Sequence, residues 1–153
     1  DVYKRQPVPG VVEFVAAARE AGVAVFFMTN RPCEKYPDEE EACPQKQTVI
    51  DGIRELGIPV EPEFVMLALE QPDWKGYKLV RRHLIARDYR IIMLIGDDFS
   101  YFVPCARSSR YAPCAQAGTH ASRAADVLKY EHFWGNGWYI LPGPMHGSWT
   151  SFR

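Results

Sequence analysis

The chain has no excess of either charge, no long apolar run, no CxxC pair and no internal repeat, and each absence narrows what it can be. Lys plus Arg number 18 against 19 Asp plus Glu, a formal charge of −1. A basic surface of the extent that a nucleic-acid duplex demands is therefore not expected, and small-molecule chemistry is. No apolar run approaches the roughly 18 residues that cross a bilayer, and the opening DVYKRQPVPG holds no signal-like apolar core. Any export signal would lie outside these residues. Cys33, Cys43, Cys105 and Cys114 are too few for a disulfide scaffold at 153 residues, and none stands in a zinc-type pair. The spacings Cys33/Cys43 and Cys105/Cys114 permit two loop-closing disulfides in an oxidising compartment, and they fit four free thiols equally. The length is that of one ordinary domain, expected to span 1–153.

What is present is organised around IIMLIGDD, Ile91 to Asp98: five apolar residues, a glycine and two carboxylates. An unbroken apolar run predicts a strand covered on both faces, as in a parallel sheet with helices on either side. VAVFFM, Val23 to Met28, repeats the design and ends in Thr29, Asn30 and Arg31. Ligands of open α/β sheets bind beyond the carboxyl ends of the strands, which makes these two polar tips the place to look for function.

Taken in order, Val11, Phe14, Val15 and Ala18 share one face of a first helix that Gly22 stops. A polar loop follows Arg31, with the acidic run Asp38 to Glu41 read as solvated. Thr48 and Asp51 form a capping box for a helix with Val49, Ile53 and Leu56 inward, ended by Gly57. Phe64 to Leu69 reads as a strand. The next helix sets Tyr77, Val80 and Leu84 on one face and leaves Lys78, Arg81, Arg82 and Arg87 on the rest. After Asp98 a short helix leads into an irregular loop. A helix over 120–132 and a last strand, Trp138 to Leu141, complete an alternation of helix and strand that predicts an α/β layer fold.

Thr29 and the backbone of Asn30 can donate to phosphate oxygens, a lysine can neutralise their charge, and Asp97 can hold Mg²⁺ through oxygen. Alone, Asp97 reads equally as a helix N-cap. The ordered series VFFMTNR (25–31), TVIDGIRELGIP (48–59), DWKGYKLVRR (73–82), DYRIIMLIGDD (88–98) and WYILPGPMHGSW (138–149) resembles the haloacid dehalogenase (HAD) superfamily. Within it the match is to the acid phosphatases of the class B and class C subfamily, closest to the lipoprotein e(P4)-like 5'-nucleotidases. The resemblance implies a Rossmannoid three-layer α/β fold with a mostly parallel sheet, and a Mg²⁺-dependent phosphomonoesterase that works through an aspartyl-phosphate. Thr29 and Asn30 would bind the transferring phosphoryl group, and Lys78, preferred to Lys75 by its register with the following RR, would stabilise nucleophile and phosphate. Asp97 would be a Mg²⁺ ligand, with Asp98 beside it. Arg31, Trp74 and His146 are weaker candidates for the substrate pocket.

Several departures from the family pattern carry consequences. Its first motif, DxDxT, holds the aspartate nucleophile and the general acid on the central strand of the sheet, and no such motif occurs in this chain. The resemblance therefore implies a domain that is N-terminally incomplete, without its nucleophile and its middle strand. Ser100 and Tyr101 stand where the family continues with an acidic residue. Gly143, His146 and Thr150 replace Asn, Tyr and Glu of a common LPNPMYGSWE signature, which bears on nucleoside preference.

Each site residue also has a structural reading. Lys78 alone is one more solvated charge on a basic helix, Trp74 is packing, and Arg31 pairs with the acidic run. Two functions follow: an acid phosphatase acting on small phosphomonoesters, with nucleoside monophosphates among them, or a non-catalytic phosphate-binding or storage relative. The resemblance points to the periplasm, the outer membrane or outside the cell, and it leaves an oligomer open.

Overall fold

The computed structural model describes residues 7–38, 40–108 and 114–141. The chain divides into two compact units, Asp1–Gly76 and Tyr77–Arg153.

In the first unit α1 spans Val11–Glu20, β1 Phe27–Pro32, α2 Pro44–Glu55 and β2 Val65–Ala68. Gly10 and Gly22 bracket α1 with φ of 83° and 76°, a left-handed backbone that residues with a Cβ rarely adopt. Strands β1 and β2 pair in parallel, Phe27 with Val65 and Met28 with Met66, with an irregularity before Pro32 meets Ala68. Parallel neighbours need a crossover, and α2 supplies it. All four residues of β2 are buried. Val65 and Leu67 form a core with Ile50 of α2 and Val60, while Phe27, Val49, Ile53 and Phe64 pack around it.

Two boundaries differ from the sequence reading. The first strand starts at Phe27 rather than Val23, because its partner reaches only as far back as Val65. Thr29, Asn30 and Arg31 thus lie within the bounds of the strand, at the irregularity between the Met28 and Pro32 pairs. The second helix begins at Pro44, not at Thr48, so the Thr48–Asp51 capping box is not its start. Pro44 occupies the first turn, where the missing N–H costs nothing. In the same turn Gln45 brackets Glu34, its amide oxygen accepting the Glu34 N–H at 3.0 Å and its Nε2 donating to the Glu34 carbonyl at 2.8 Å. A Cys33–Cys43 disulfide closes the same loop.

In the second unit α3 spans Leu79–Asp88, β3 Leu94–Gly96, α4 His120–Lys129 and β4 Trp138–Ile140. Strands β3 and β4 are parallel, Leu94 opposite Trp138 and Gly96 opposite Ile140. Phe99, Phe102, Val103 and Ala106 form the core, with Leu94, Tyr130, Trp134 and Trp138 packed on it. The Phe99 and Trp134 rings stack at 5.6 Å. Thr119 caps α4 in a reciprocal box with Ser122.

Here the apolar run departs most from expectation. The ladder covers only Leu94–Gly96, while Ile92 is 54% and Ile95 47% exposed. A sheet two strands wide leaves each strand an edge without a ladder partner, and a sequence suited to a doubly covered strand stays open to solvent. The α3 region departs in part from its expected faces: Tyr77 is buried as expected, but Leu84 is exposed, and Arg81, Arg82 and Ile85 are buried. Arg82 is held by two guanidinium donations to the Phe102 carbonyl, at 3.3 and 3.4 Å.

Candidate active site

The polar tips are built separately in the two units. Within β1 the Thr29 hydroxyl oxygen accepts the Arg31 N–H at 3.2 Å, at the irregularity between Met28 and Pro32. Asn30 donates from Nδ2 to the Gly76 carbonyl at 3.0 Å and so anchors the loop that ends two residues before Lys78 in sequence. The same loop begins at Leu69, whose φ of 63° is uncommon for a residue with a Cβ. Trp74 is only 9% exposed. Glu70 accepts the Leu67 N–H at 3.0 Å and forms an ion pair with Lys46 of α2, fixing the tip of β2. Arg31 is partly buried and takes part in neither ion pair found among the described residues, Arg19–Glu61 and Lys46–Glu70.

In the second unit Lys78 occupies the N-cap position of α3, which has no acidic residue in its first turn. A helix N-terminus carries partial positive charge, so a lysine there adds cation to cation and suits an anion. Burial first, and Arg81 next, push the Lys78 ammonium down to about 8, while Asp97 and Asp98 act in the opposite sense. Arg81 is 0% exposed. Such a cationic centre facing two carboxylates is costly to assemble and is characteristic of functional clefts.

The carboxylates differ in their commitments. Asp98 is buried, and its Oδ1 accepts both the Ser100 N–H at 2.8 Å and the Ser100 hydroxyl at 2.6 Å, capping the 3-10 turn Phe99–Tyr101. Arg107 Nε donates to Ser100 Oγ at 3.0 Å, and Asp98 also opposes the burial that lowers Arg123. Asp97 is half-buried, and its charge acts on Lys78 and Tyr101. No group of three His, Cys, Asp or Glu side chains that could enclose a metal occurs among the described residues. Two adjacent carboxylates are nevertheless the donor set that Mg²⁺ uses when substrate phosphate and water complete its shell.

Lys78, Asp97 and Asp98 thus share one electrostatic cluster, and Thr29 and Asn30 share the β1 tip. His146 lies outside the described residues. Sequence reasoning missed Arg81, Ser100, Tyr101 and Arg107. Ser100 was recoverable, because Asp-x-Ser after a strand is a capping signature. Arg81 and Arg107 carried no such signal, since a solvated arginine has the same appearance in sequence.

The parallel strands and the crossover helices define an α/β chain. The family model for the HAD superfamily, subfamily IIIB (Acid phosphatase), matches residues 3–149, and the chain belongs to that family. Two solved structures of the class C acid phosphatase from Bacillus anthracis share the fold. One is 22% identical with a TM-score of 0.71, covering 93% of this chain and 50% of its own. The other, with tungstate bound, is 24% identical with a TM-score of 0.71, covering 93% and 51%. The chain therefore spans about half the length of these structures. No curated protein sequence matches it.

Proposed function

We propose that the chain is the phosphate-handling part of a Mg²⁺-dependent acid phosphatase that hydrolyses small phosphomonoesters, with nucleoside monophosphates as candidate substrates. The observation that carries this reading is Lys78 at the start of α3, with Arg81 buried in the same helix and Asp97 and Asp98 acting on its ammonium. Lys78 would neutralise the phosphoryl charge. Thr29 and Asn30 would line the phosphoryl site from the β1 tip, with Asn30 also holding the loop ahead of Lys78. Arg31 and His146 are the proposed rim of the substrate pocket.

Mg²⁺ would be held by Asp97, with Asp98 oriented beside it by Ser100, and would supply Lewis-acid stabilisation of charge on the phosphoryl oxygens. The nucleophilic aspartate of the family's covalent route belongs to a DxDxT motif that is not among these 153 residues. Two disulfides, Cys33–Cys43 and Cys105–Cys114, support an oxidising compartment such as the periplasm or the cell exterior. No helix of the described residues is long and apolar enough to cross a membrane.

A second reading of the same residues is a non-catalytic phosphate-binding relative. Both readings predict that the chain binds inorganic phosphate or tungstate, and only the first predicts that a chain joined to a DxDxT-bearing strand hydrolyses p-nitrophenyl phosphate. Failure to bind either oxyanion would refute both.

A further inference from the structure

The Lys78 ammonium does not rest in a cage of carboxylates: its Nζ lies 3.6 Å from the centroid of the Tyr101 ring. That is well within the range at which a cation is attracted to an aromatic face, and the attraction strengthens where water is excluded. Two neighbouring features fix the ring in place. Gly96, the last residue of β3, has no side chain on the side that the ring covers; a Cβ there would meet Tyr101 Cδ2 at 3.0 Å and the Phe102 ring at 3.7 Å. The 3-10 turn that carries Tyr101 is capped by Asp98 through Ser100. Burial, Asp97 and Asp98 all raise the Tyr101 hydroxyl, so the group under Lys78 is a neutral phenol and its ring face, not a phenolate oxygen, makes the contact.

We propose that Tyr101 is a positioning residue: its ring, seated on Gly96, holds the Lys78 ammonium at the strand tip in place for a phosphoryl oxygen. A neutral ring suits this task better than a third carboxylate, because it orients the cation without neutralising it and leaves its full charge for an anionic ligand. The role rests on the phosphate reading above.

The test uses the full 153-residue chain, labelled at lysine Cε with ¹³C and kept in chelator, titrated with inorganic phosphate. The Lys78 ε-methylene signal should stand upfield of the other lysines by ring-current shielding, keep that position in Tyr101→Phe and lose it in Tyr101→Leu. Phosphate affinity should stay within about twofold in Tyr101→Phe and fall about tenfold in Tyr101→Leu, in line with one cation–π contact in a desolvated site. Gly96→Ala keeps the tyrosine and displaces its ring, so it should weaken binding and move the Lys78 signal even if Tyr101→Leu fails to fold. Phosphate binding that neither Tyr101→Leu nor Gly96→Ala changes would overturn the inference alone. A shielded Lys78 signal with no phosphate binding in any variant would overturn the phosphate reading and, with it, the purpose assigned to the contact.

Discussion

Replacing Ser100 by alanine should cost about 2–3 kcal/mol of folding stability, as expected for losing a charge-assisted bond and leaving its partner unsatisfied. The Ser100 hydroxyl donates to Asp98 Oδ1 at 2.6 Å and accepts Arg107 Nε at 3.0 Å, in a buried setting. Alanine retains the backbone N–H donation to Asp98 at 2.8 Å, so the cap survives while the link between carboxylate and guanidinium is cut. Urea denaturation should follow it through tryptophan fluorescence, since Trp134 stacks on Phe99 in the same turn. The midpoint should fall by about 1 M or more at a slope usual for a small protein. In a double-mutant cycle Ser100→Ala and Arg107→Met should show a coupling of about 1 kcal/mol or more, because they share one hydrogen bond. A loss below about 0.5 kcal/mol with no coupling would be the size of an ordinary surface substitution and would mean that the Asp98–Ser100–Arg107 chain does not form.

Four further outcomes follow from the same geometry. Lys78 is depressed to about 8 from its ordinary 10.5, so phosphate affinity should be full at acid and neutral pH and decline as pH rises through about 8, and Lys78→Met should flatten that profile. The same depression means the unfolded chain holds the proton longer, so this group's contribution to stability should rise between about pH 8 and 10.5. Reducing Cys105–Cys114 should lower stability by about 2–3 kcal/mol on the loop-entropy view. It should also loosen Tyr77, whose hydroxyl accepts the Cys105 N–H at 3.1 Å and donates to Cys114 Sγ at 3.0 Å; calorimetry of Cys105→Ala/Cys114→Ala against the parent chain measures both effects together. Gly118→Ala should be among the most damaging glycine changes, because its Cβ would lie 2.7 Å from the Ala106 backbone carbon, and thermal unfolding should show it clearly below Gly52→Ala, where nothing lies within 4 Å.

The sequence made legible what depends on local pattern. The α1 stop at Gly22, the buried strand at Val65–Ala68, the α2 end at Gly57 and the last strand at Trp138 all follow from periodicity and a left-handed glycine. The starts of β1 and α2 were not legible, since one depends on where β2 begins and the other on a bracket between Gln45 and Glu34. Ile91 to Ile95 read as a covered strand because composition reports what a segment can bury, whereas exposure depends on which neighbours pair with it. At the site, Lys78, Asp97 and Asp98 were singled out by motif order, and Asp97 and Asp98 act electrostatically on Lys78. Tyr101 carried no signal, because an aromatic beside a cation cannot be told from core packing without distances.

Oxyanion binding by the 153-residue chain tests the central claim most directly. Calorimetric titration of tungstate into the parent chain and into Lys78→Met, with and without Mg²⁺, should show a single site that Mg²⁺ strengthens and Lys78→Met weakens by at least tenfold, as loss of a desolvated charge contact implies. Equal binding by parent and variant, or no binding by the parent at any Mg²⁺ concentration, would contradict the claim that the cluster at the strand tips handles phosphate.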